Sequence, residues 1–596
     1  MSLDPAFAKA PDAAKASGQR TPTGAQSAAV VMWRRRLFAF VCFATLVLMT
    51  DRLAQILATD GFGLIDGLLV LCFVIALPWS ILGFWNSLLG FLLAFARDPL
   101  EAINPVATRA RTDDPVFIRT AVLMTLRNEN PARAFRRLRI IKQSLDATGY
   151  GDNFDYYILS DSSEPDVLAA ERAAYAAWIA EFPHVDRIVY RHRENNAGFK
   201  AGNVRDFCER WGRQYEVMVP LDADSLMTGT AIVRMIRIMQ ASPRLGILQS
   251  LVVGMPSASF FARVFQFGMR HGMRSFTSGS AWWHADCGPF WGHNTAVRVA
   301  PFTDFCKLPD LPGKPPFGGP ILSHDQVEAV MMRRAGFEAR VLPHEDGSYE
   351  DNPPALLDYV RRDLRWCNGN LQYFRILGLP GMLPTNRVQI ALAIQMFLVS
   401  PATVLFAVLA AIAAARWPAD VAFPMKPALG LYAVFLAMYF APKIFGVLGA
   451  LLREPAAFGG RVRLLAGFAV ETLFSFMLVP ISWFNQAMFM AALLAGRSIG
   501  WRSQQRDGYR VPWLVAARDL WPATLFGLAM ILFLALTAPA AIVWFLPFLA
   551  GLALSVPFAV FSSSPEIGDA MVRCRLCAIP EEFDTPAEIS TLLAPD

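Results

Sequence analysis

Charge is the first scarcity. Asp, Glu, Lys and Arg make up 17% of the 596 residues, against roughly 25% in an average soluble protein. The formal net charge of +6 is small for this length, and the basic residues lie in loops rather than on one concentrated face. Nucleic-acid binding is therefore not expected. Cysteine is scattered too: there are eight, and only Cys574 and Cys577 in "RCRLC" stand close together. That pair has no second pair and no histidine partner, so it does not read as a metal site. No G-x-x-x-x-G-K-[ST] occurs, which argues against a transporter driven by a phosphate-cradling P-loop domain. No cleavable signal peptide is evident, and residues 1–33, rich in Ala, Pro, Ser and Gly, read as a disordered tail.

What the chain has in excess is apolar sequence, and it is unevenly placed. Hydrophobic residues reach 54%, concentrated in 37–95 and 388–560, while 98–387 has the composition of an ordinary cytosolic α/β protein. The expected class is an α-helical polytopic membrane protein with a soluble α/β domain inserted between its spans. Segments of about 20 apolar residues can cross a bilayer. Candidates are 37–58, 64–95 (broken near Pro78), 388–414, 428–450, 464–496, 520–538 and 541–561.

Lys and Arg favour the cytoplasmic side. Arg34, Arg35, Arg36 and Arg97 place both ends of the first pair of spans, 34–97, in the cytosol, and with them the domain at 98–387. The later loops 451–463 and 497–518 are both basic, yet a single apolar run, 464–496, separates them. One crossing would violate parity. The run is expected to turn back near Pro480 as a hairpin, giving eight spans within 34–97 and 388–561 and a cytosolic tail at 562–596. The alternative is that one basic loop is external.

Within the domain, the short apolar runs 121–126, 156–160, 187–190, 217–221 and 245–253 alternate with amphipathic stretches such as 131–147 and 165–180. That pattern predicts a largely parallel sheet covered by helices. Three runs lead into acids: Glu129, Asp161, and the pair Asp222 and Asp224 of "LDADS". Ligands of open α/β sheets bind beyond the carboxyl ends of the strands. Two carboxylates at i and i+2 suit Mg²⁺ or Mn²⁺, which bind through one or two carboxylates plus substrate phosphates. "SHDQ" (323–326) reads as a capping box, with Ser323 at the N-cap, Gln326 at N3 and Asp325 in the first turn.

The motifs "ILSDSSEPD" (158–166), "KAGNV" (200–204), "LDADSLMTG" (221–229), "FWGHN" (290–294), "SHDQVEAVMMRRAG" (323–336), "RRDLRWCNGNLQ" (361–372), "GWRSQQRD" (500–507) and "IPEEF" (579–583) carry a further inference. In content and order they resemble the processive family 2 glycosyltransferases, whose nucleotide-sugar-binding fold is called GT-A. Within that group they most resemble the membrane glucosyltransferases of Gram-negative osmoregulated periplasmic glucan synthesis. The resemblance runs over about 35–585. It implies a UDP-glucose-dependent inverting enzyme of the inner membrane, which extends a β-1,2-linked glucan and threads it outward through the bilayer. Alternatives in the same class are an enzyme that glycosylates a lipid carrier and another β-glucan synthase of cellulose type.

The resemblance also assigns roles. Glu129 and Asp161 contact the uridine, Lys200 and Asn203 support the nucleotide, and Asp222 lies beside sugar and diphosphate. Asp224 holds the metal, Mg²⁺ or Mn²⁺. Asp325 is the general base, with His324 a weaker proton-transfer candidate. Arg362 and Arg365 approach the phosphates. Trp366 stacks on the acceptor sugar, joined by Trp291 and His293; Trp282 and Trp283 either line the same site or pack. Trp501, Arg502, Gln505 and Arg506 belong to a loop that gates the nucleotide, unless their charge only orients that loop. Arg362 stands where cellulose and hyaluronan synthases carry Gln, which moves the reading toward the periplasmic-glucan branch. Implied partners are the growing glucan, periplasmic glucan-modifying proteins and acyl carrier protein. The basic stretch 133–142 (Arg133, Arg136, Arg137, Arg139, Lys142) is either a dock for such an acidic partner or a solvated face. Glu350 and Asp351 receive no role.

Overall fold

The computed structural model describes residues 26–181, 187–314, 316–496 and 508–594. Two long apolar helices, α1 (Ala28–Leu57) and α2 (Leu64–Leu93), come first. α2 runs through Pro78 without a break. The arginines at the start of α1 do more than orient it. Arg35 donates to the carbonyls of Trp283 (3.2 Å) and His284 (2.7 Å) and pairs with Asp286 at 2.7 Å. Those carbonyls end α6 (Phe260–His284), where a cation offsets the helix dipole.

The domain is built on an eight-stranded sheet in the order β3-β2-β1-β4-β7-β6-β8-β5. The strands are β1 (Thr120–Leu126), β2 (Phe154–Ser160), β3 (Ile188–His192), β4 (Val217–Asp222), β5 (Leu226–Met227), β6 (Leu245–Gly254), β7 (Thr295–Arg298) and β8 (Glu338–Glu350). β3, β2, β1 and β4 are parallel, and β6 pairs in parallel with β8; β7 runs antiparallel between β4 and β6. The run "TAVLMTL" of β1 is almost wholly buried, as a central parallel strand covered by helices on both faces must be. The covering helices include α3 (Pro131–Ala147), α4 (Phe199–Arg210) and α5 (Gly229–Ala241). Register brings the strand ends level. Leu126 stands opposite Ser160 and Thr125 opposite Asp222, so the residues that follow β1, β2 and β4 gather at one edge.

After β7 come α7 (Asp325–Arg334), then β8 and α8 (Leu356–Leu371). The remaining chain forms α9 (Pro384–Arg416), α10 (Met425–Arg453), α11 (Arg461–Leu494), α12 (Trp513–Thr537) and the pair α13 (Ile542–Ala553) and α14 (Ser555–Ser562). Among the described residues six helices are long and apolar enough to cross a membrane, or seven if the pair bent by 57° is one span. The eight spans expected from sequence are not found among the described residues.

The hairpin expected at Pro480 is also absent, since α11 is one 34-residue helix through that proline. Pro480 cannot donate to the Phe476 carbonyl, four residues back. Gly551 of α13 packs there: a Cβ on it would lie 2.9 Å from Phe476 O and 2.7 Å from Met477 O. α11 meets the domain along its length. Near its start Gly467 abuts the Phe267 ring of α6. In its middle Phe474 packs on Phe261 at 5.2 Å between ring centroids. Farther on Gln486 donates to Asp363 of α8, and Phe489 and Leu493 cluster with Cys367 and Leu371. The chain leaving it returns to α8 through Tyr509, whose hydroxyl donates to Asp358 at 3.0 Å.

The tail folds back on the domain as α15 (Pro565–Cys574) and α16 (Ala587–Leu593). Between them "IPEEF" supplies two buried ion pairs, Glu581 with Arg270 (2.5 Å) and Glu582 with Arg263 (2.8 Å). Arg270 also holds Glu345 of β8 at 2.7 Å. The basic stretch on α3 is engaged within the chain: Arg137 and Arg133 with Asp351 (2.7 and 3.2 Å), Arg139 with Glu181, Lys142 with Asp146, and Arg136 with the Thr591 carbonyl. The structure thus gives this face partners within the chain.

Candidate active site

The cleft starts at the turn that ends β4. Ser225 donates its backbone N–H to Asp222 O, while its hydroxyl accepts from Asp222 N, both at 3.0 Å. This closes "DADS" into a tight loop that carries Asp222 and Asp224 to the same edge. Thr125 of β1 donates to Leu221 O at 3.0 Å and fixes the turn laterally. Asp224 is only 8% exposed. Lys200, from the first turn of α4, forms an ion pair with Asp222. That turn is possible because Gly198 takes φ +70° and Gly202 closes on the Ala197 carbonyl, where a Cβ would not fit.

"FWGHN" runs past this pair. Asn294, at φ +50°, is pinned by its N–H to Pro220 O (2.8 Å) and by its amide to Ser348 Oγ (3.0 Å). Gly292, also at positive φ, leaves a gap in the wall. The position its Cβ would take is 3.5 Å from Asp325 Cβ, 3.8 Å from His324 Cε1 and 3.8 Å from Lys200 Nζ. Residues separated by more than a hundred positions thus meet around one point: the Lys200–Asp222 pair from the strand edge, and Asp325 from α7.

The capping box expected at "SHDQ" is not formed. α7 begins at Asp325 with His324 at its N-cap and no side-chain cap; Asp325 Oδ1 accepts the N–H of Gln326 at 3.0 Å. The Ser323 carbonyl accepts from the Tyr373 hydroxyl at 2.7 Å, and Gln372 takes Leu322 N–H (2.9 Å) and donates to Pro320 O (3.1 Å). Two residues just beyond α8 therefore set the approach of the base candidate.

His324 pairs with Glu328 at 2.8 Å, a partner that sequence reading missed although i, i+4 spacing on a helix signals it. Burial alone would lower the imidazole pKa, but Glu328 and then Asp325 carry it above its ordinary value. A second missed residue is Glu350, 3.6 Å from His293. Burial, and then the charges of Asp224 and Asp222, push its carboxyl above the ordinary glutamate range, against the pull of His293.

Other expected residues take different places. Asp161, 3% exposed at its side chain, is in a two-point pair with Arg193 at 2.6 and 2.8 Å. Asn203 donates to Leu159 O and accepts from Arg191, so it ties β2 to α4 from below. Glu129 lies partly buried at the edge beyond β1. Trp291 packs on Ile103, Ala281 and Val341. Trp282 meets Trp33 and Arg34, and Trp283 stacks on Phe38 while donating to Asn86. All three tryptophans thus have packing partners within the chain. Trp366 is 51% exposed on α8, with the Arg362 guanidinium 4.8 Å from its ring. Arg365 adjoins it, partly buried. Trp501, Arg502, Gln505 and Arg506 lie outside the described residues.

The donor set fits a divalent cation. Asp222 and Asp224 are hard oxygen ligands on one tight turn, and Glu350 beside them is pushed toward its neutral form by burial first and by their charges only in part. Among the described residues no cluster of three or more metal-ligating side chains occurs.

Comparison with known proteins places these elements in one group. Residues 122–305 match the model of glycosyl transferase family 2, and 217–442 that of glycosyl transferase family group 2. The glucans biosynthesis glucosyltransferase H of Pseudomonas paraeruginosa is 36% identical over 541 residues, covering 88% of this chain and 62% of the relative. That of Ralstonia nicotianae is 34% identical over 577 residues, 94% of this chain and 67% of the relative. The chain thus spans 62 to 67% of the length of these relatives. A mannosyltransferase from Pyrobaculum calidifontis, solved with GDP-Man and Mn²⁺, aligns with TM-score 0.38 at 16% identity over 67% of this chain and 99% of its own.

Proposed function

The chain belongs to the glucans biosynthesis glucosyltransferase H family, within the family 2 glycosyltransferases, and from that premise we propose that it is an inverting glucosyltransferase that uses UDP-glucose to extend a β-glucan. The observation that carries this reading is the meeting of Lys200, Asp222 and Asp325 at Gly292. It puts a cation for the diphosphate and a carboxylate for the acceptor within one substrate's reach.

Asp325 takes the proton from an acceptor hydroxyl as its oxygen bonds to C1 of glucose. The bond from C1 to the diphosphate oxygen breaks on the opposite face, UDP departs with the electron pair, and the α-linked donor yields a β-linked product. His324, held by Glu328, stands beside the base with its pKa raised above the ordinary imidazole value. Lys200 offsets diphosphate charge, with Glu129 and the Asp161–Arg193 pair shaping the nucleotide end. Asp222 and Asp224 would hold Mg²⁺ or Mn²⁺, which supplies Lewis-acid neutralisation of the leaving diphosphate.

The half-exposed Trp366 offers an apolar face to the acceptor sugar where the domain meets the membrane helices. Below it a polar chain, Asp363 to Gln486 to Ser400, runs from α8 through α11 to α9. Polar groups turned to the interior of a bundle mark a pathway, which supports processive export of the glucan. Arg34 and Arg35, bound to the domain, support a cytosolic domain by the positive-inside rule. The β-1,2 linkage, periplasmic glucan-modifying proteins as partners and a gating role for 500–507 extend the same reading.

Incubation of membranes with labelled UDP-glucose and Mg²⁺, followed by product sizing and linkage analysis, tests it. A β-linked polymer is expected. A short, solvent-extractable glycolipid would replace processive synthesis with transfer to a lipid carrier, and no incorporation would end the reading.

A further inference from the structure

Phe199 and Lys200 are neighbours at the start of α4, yet they serve different strand ends. Lys200 reaches β4, where it pairs with Asp222. Phe199 meets the loops that follow β1 and β2. The guanidinium of Arg127, the residue after β1, lies over its ring at 5.7 Å from the centroid.

Two features of Phe199 have no account in packing. Its backbone sits at φ +51°, in the left-handed region, where a bulky side chain is strained and where functional sites collect such strain. Its side chain is nevertheless left partly open, at 38% exposure, so burial of the phenyl ring does not fully offset the strain. A single exposed aromatic residue is ordinary on a protein surface. One held in strain at the ligand edge of the sheet is not.

The turn that imposes this conformation is firmly built. Asp161, the residue after β2, is chelated by Arg193 at 2.6 and 2.8 Å. The same guanidinium donates to the carbonyls of Ala197 and Phe199, both at 3.2 Å. With its amide oriented to suit its neighbours, Asn196 donates to Asp161 at 2.8 Å and accepts from Arg127 at 3.2 Å. The Phe199 N–H closes the turn on Asn196 O at 3.2 Å. Both carboxylate oxygens of Asp161 are therefore engaged within the chain, and what they support is the turn that presents the aromatic ring.

We propose that Phe199 is the platform on which the base of the donor nucleotide stacks. Its π-face takes the base, Lys200 one residue on meets the diphosphate, and the Asp161–Arg193 pair acts through the turn it holds. The proposal rests on the nucleotide-sugar reading above and deepens it. Every base has a π-face, so a phenyl ring supplies affinity for a nucleotide without selecting uracil.

Titration calorimetry on the full chain in nanodiscs with Mg²⁺ tests it, with three probes: UDP, pyrophosphate, and dihydro-UDP, whose saturated base is no longer aromatic. Wild type should bind UDP more tightly than dihydro-UDP. Glycine suits φ +51° without strain, so Phe199→Gly keeps the turn and removes only the ring. It should weaken UDP about five- to 150-fold and close the gap between the two nucleotides. Its affinity for pyrophosphate should equal that of wild type, and Phe199→Tyr should retain UDP binding. UDP bound equally well by Phe199→Gly, with glucose incorporation intact, would overturn the platform and leave the glucosyltransferase reading standing. A loss that extends equally to pyrophosphate would also overturn it, because the turn and not the ring would then matter. If wild type binds GDP in place of UDP with the same dependence on Phe199, the platform stands and the UDP reading falls. No affinity for any nucleoside diphosphate would end both.

Discussion

Gly369 of α8 lies directly against Ser323. A Cβ at 369 would stand 2.9 Å from Ser323 N and closer still to its hydroxyl oxygen. Two residues before Asp325, this contact lets the base's turn dock on the helix that carries Trp366. Alanine normally improves a helix interior over glycine by about 1 kcal/mol. Here the sign reverses: Gly369→Ala should destabilise by about 1–3 kcal/mol through overpacking, and should lower kcat by moving Asp325. Thermal unfolding and glucose incorporation check both; a more stable, fully active variant would remove the contact's importance.

Asp325 and His324 are separable. Asp325→Asn should cost about 10² to 10⁴ in kcat, the range of a lost general base, with donor KM little changed. Glu328→Gln removes the carboxylate that raises the His324 pKa, so the imidazole should lose its proton at lower pH. The sign follows: wild-type activity that depends on His324 in its charged form falls as pH rises through the raised pKa, and in Glu328→Gln that fall begins earlier. Rate against pH from 5 to 9 reads the shift. Coincident profiles would disconnect His324 from the chemistry.

Arg362, the departure from the cellulose-type pattern, sits over Trp366. Its loss in Arg362→Gln forfeits a cation–π contact worth about 0.5–2 kcal/mol, or about two- to thirtyfold in acceptor residence. Shorter products with little change in the UDP-glucose KM are expected, and Arg362→Lys should restore part of the length. If instead the donor KM alone rises, Arg362 is a phosphate contact.

How far the residues reveal this site depends on the range of the interaction that places them. β1, β2 and β4 announce themselves because a parallel strand buried on both faces is a short, nearly continuous apolar run, and the acids that follow such runs fall at the ligand edge by topology. β8 hides in "EARVLPHEDGSYE", whose Pro, Gly and charges mask a strand that is pinned by β6 and β5. The roles of Gly369, Gln372 and Tyr373 were illegible, since each acts on a turn some fifty residues away. The tryptophans were ambiguous for a related reason: an indole suits a sugar and a membrane-helix interface equally well.

Asp363 offers a pH test outside the active centre. Burial pushes its carboxyl up to about 6, above an unfolded value near 3.9. A raised folded-state pKa contributes stability that is complete below the unfolded value and is lost as pH rises to the folded one. Wild type should therefore lose about 3 kcal/mol between pH 4 and 6 from this group alone. Asp363→Asn can still accept from Gln486 and carries no charge to bury. It should match wild type near pH 4 and exceed it at pH 7 to 8, by thermal unfolding. A variant less stable at every pH would show that the carboxylate's bond to Gln486 outweighs its burial.

The course of α11 decides the topology. If it lies along the domain, its two flanks are on one side of the membrane; if it crosses, they are on opposite sides. Composition does not distinguish these, because a helix packed against both lipid and protein is as apolar as a span. The end-to-end contacts with Phe267, Phe261, Asp363 and Cys367 favour the first course. Single cysteines at Val462, which is highly exposed, and at Gly508 should react with a membrane-impermeant thiol reagent from the same face in vesicles of known orientation. With α11 off the count, α1, α2, α9, α10, α12 and the bent α13–α14 pair make six crossings. A further cysteine in the exposed tail, at Thr591, should then label with the other two. Labelling of Val462 and Gly508 from opposite faces would make α11 a span and overturn this course.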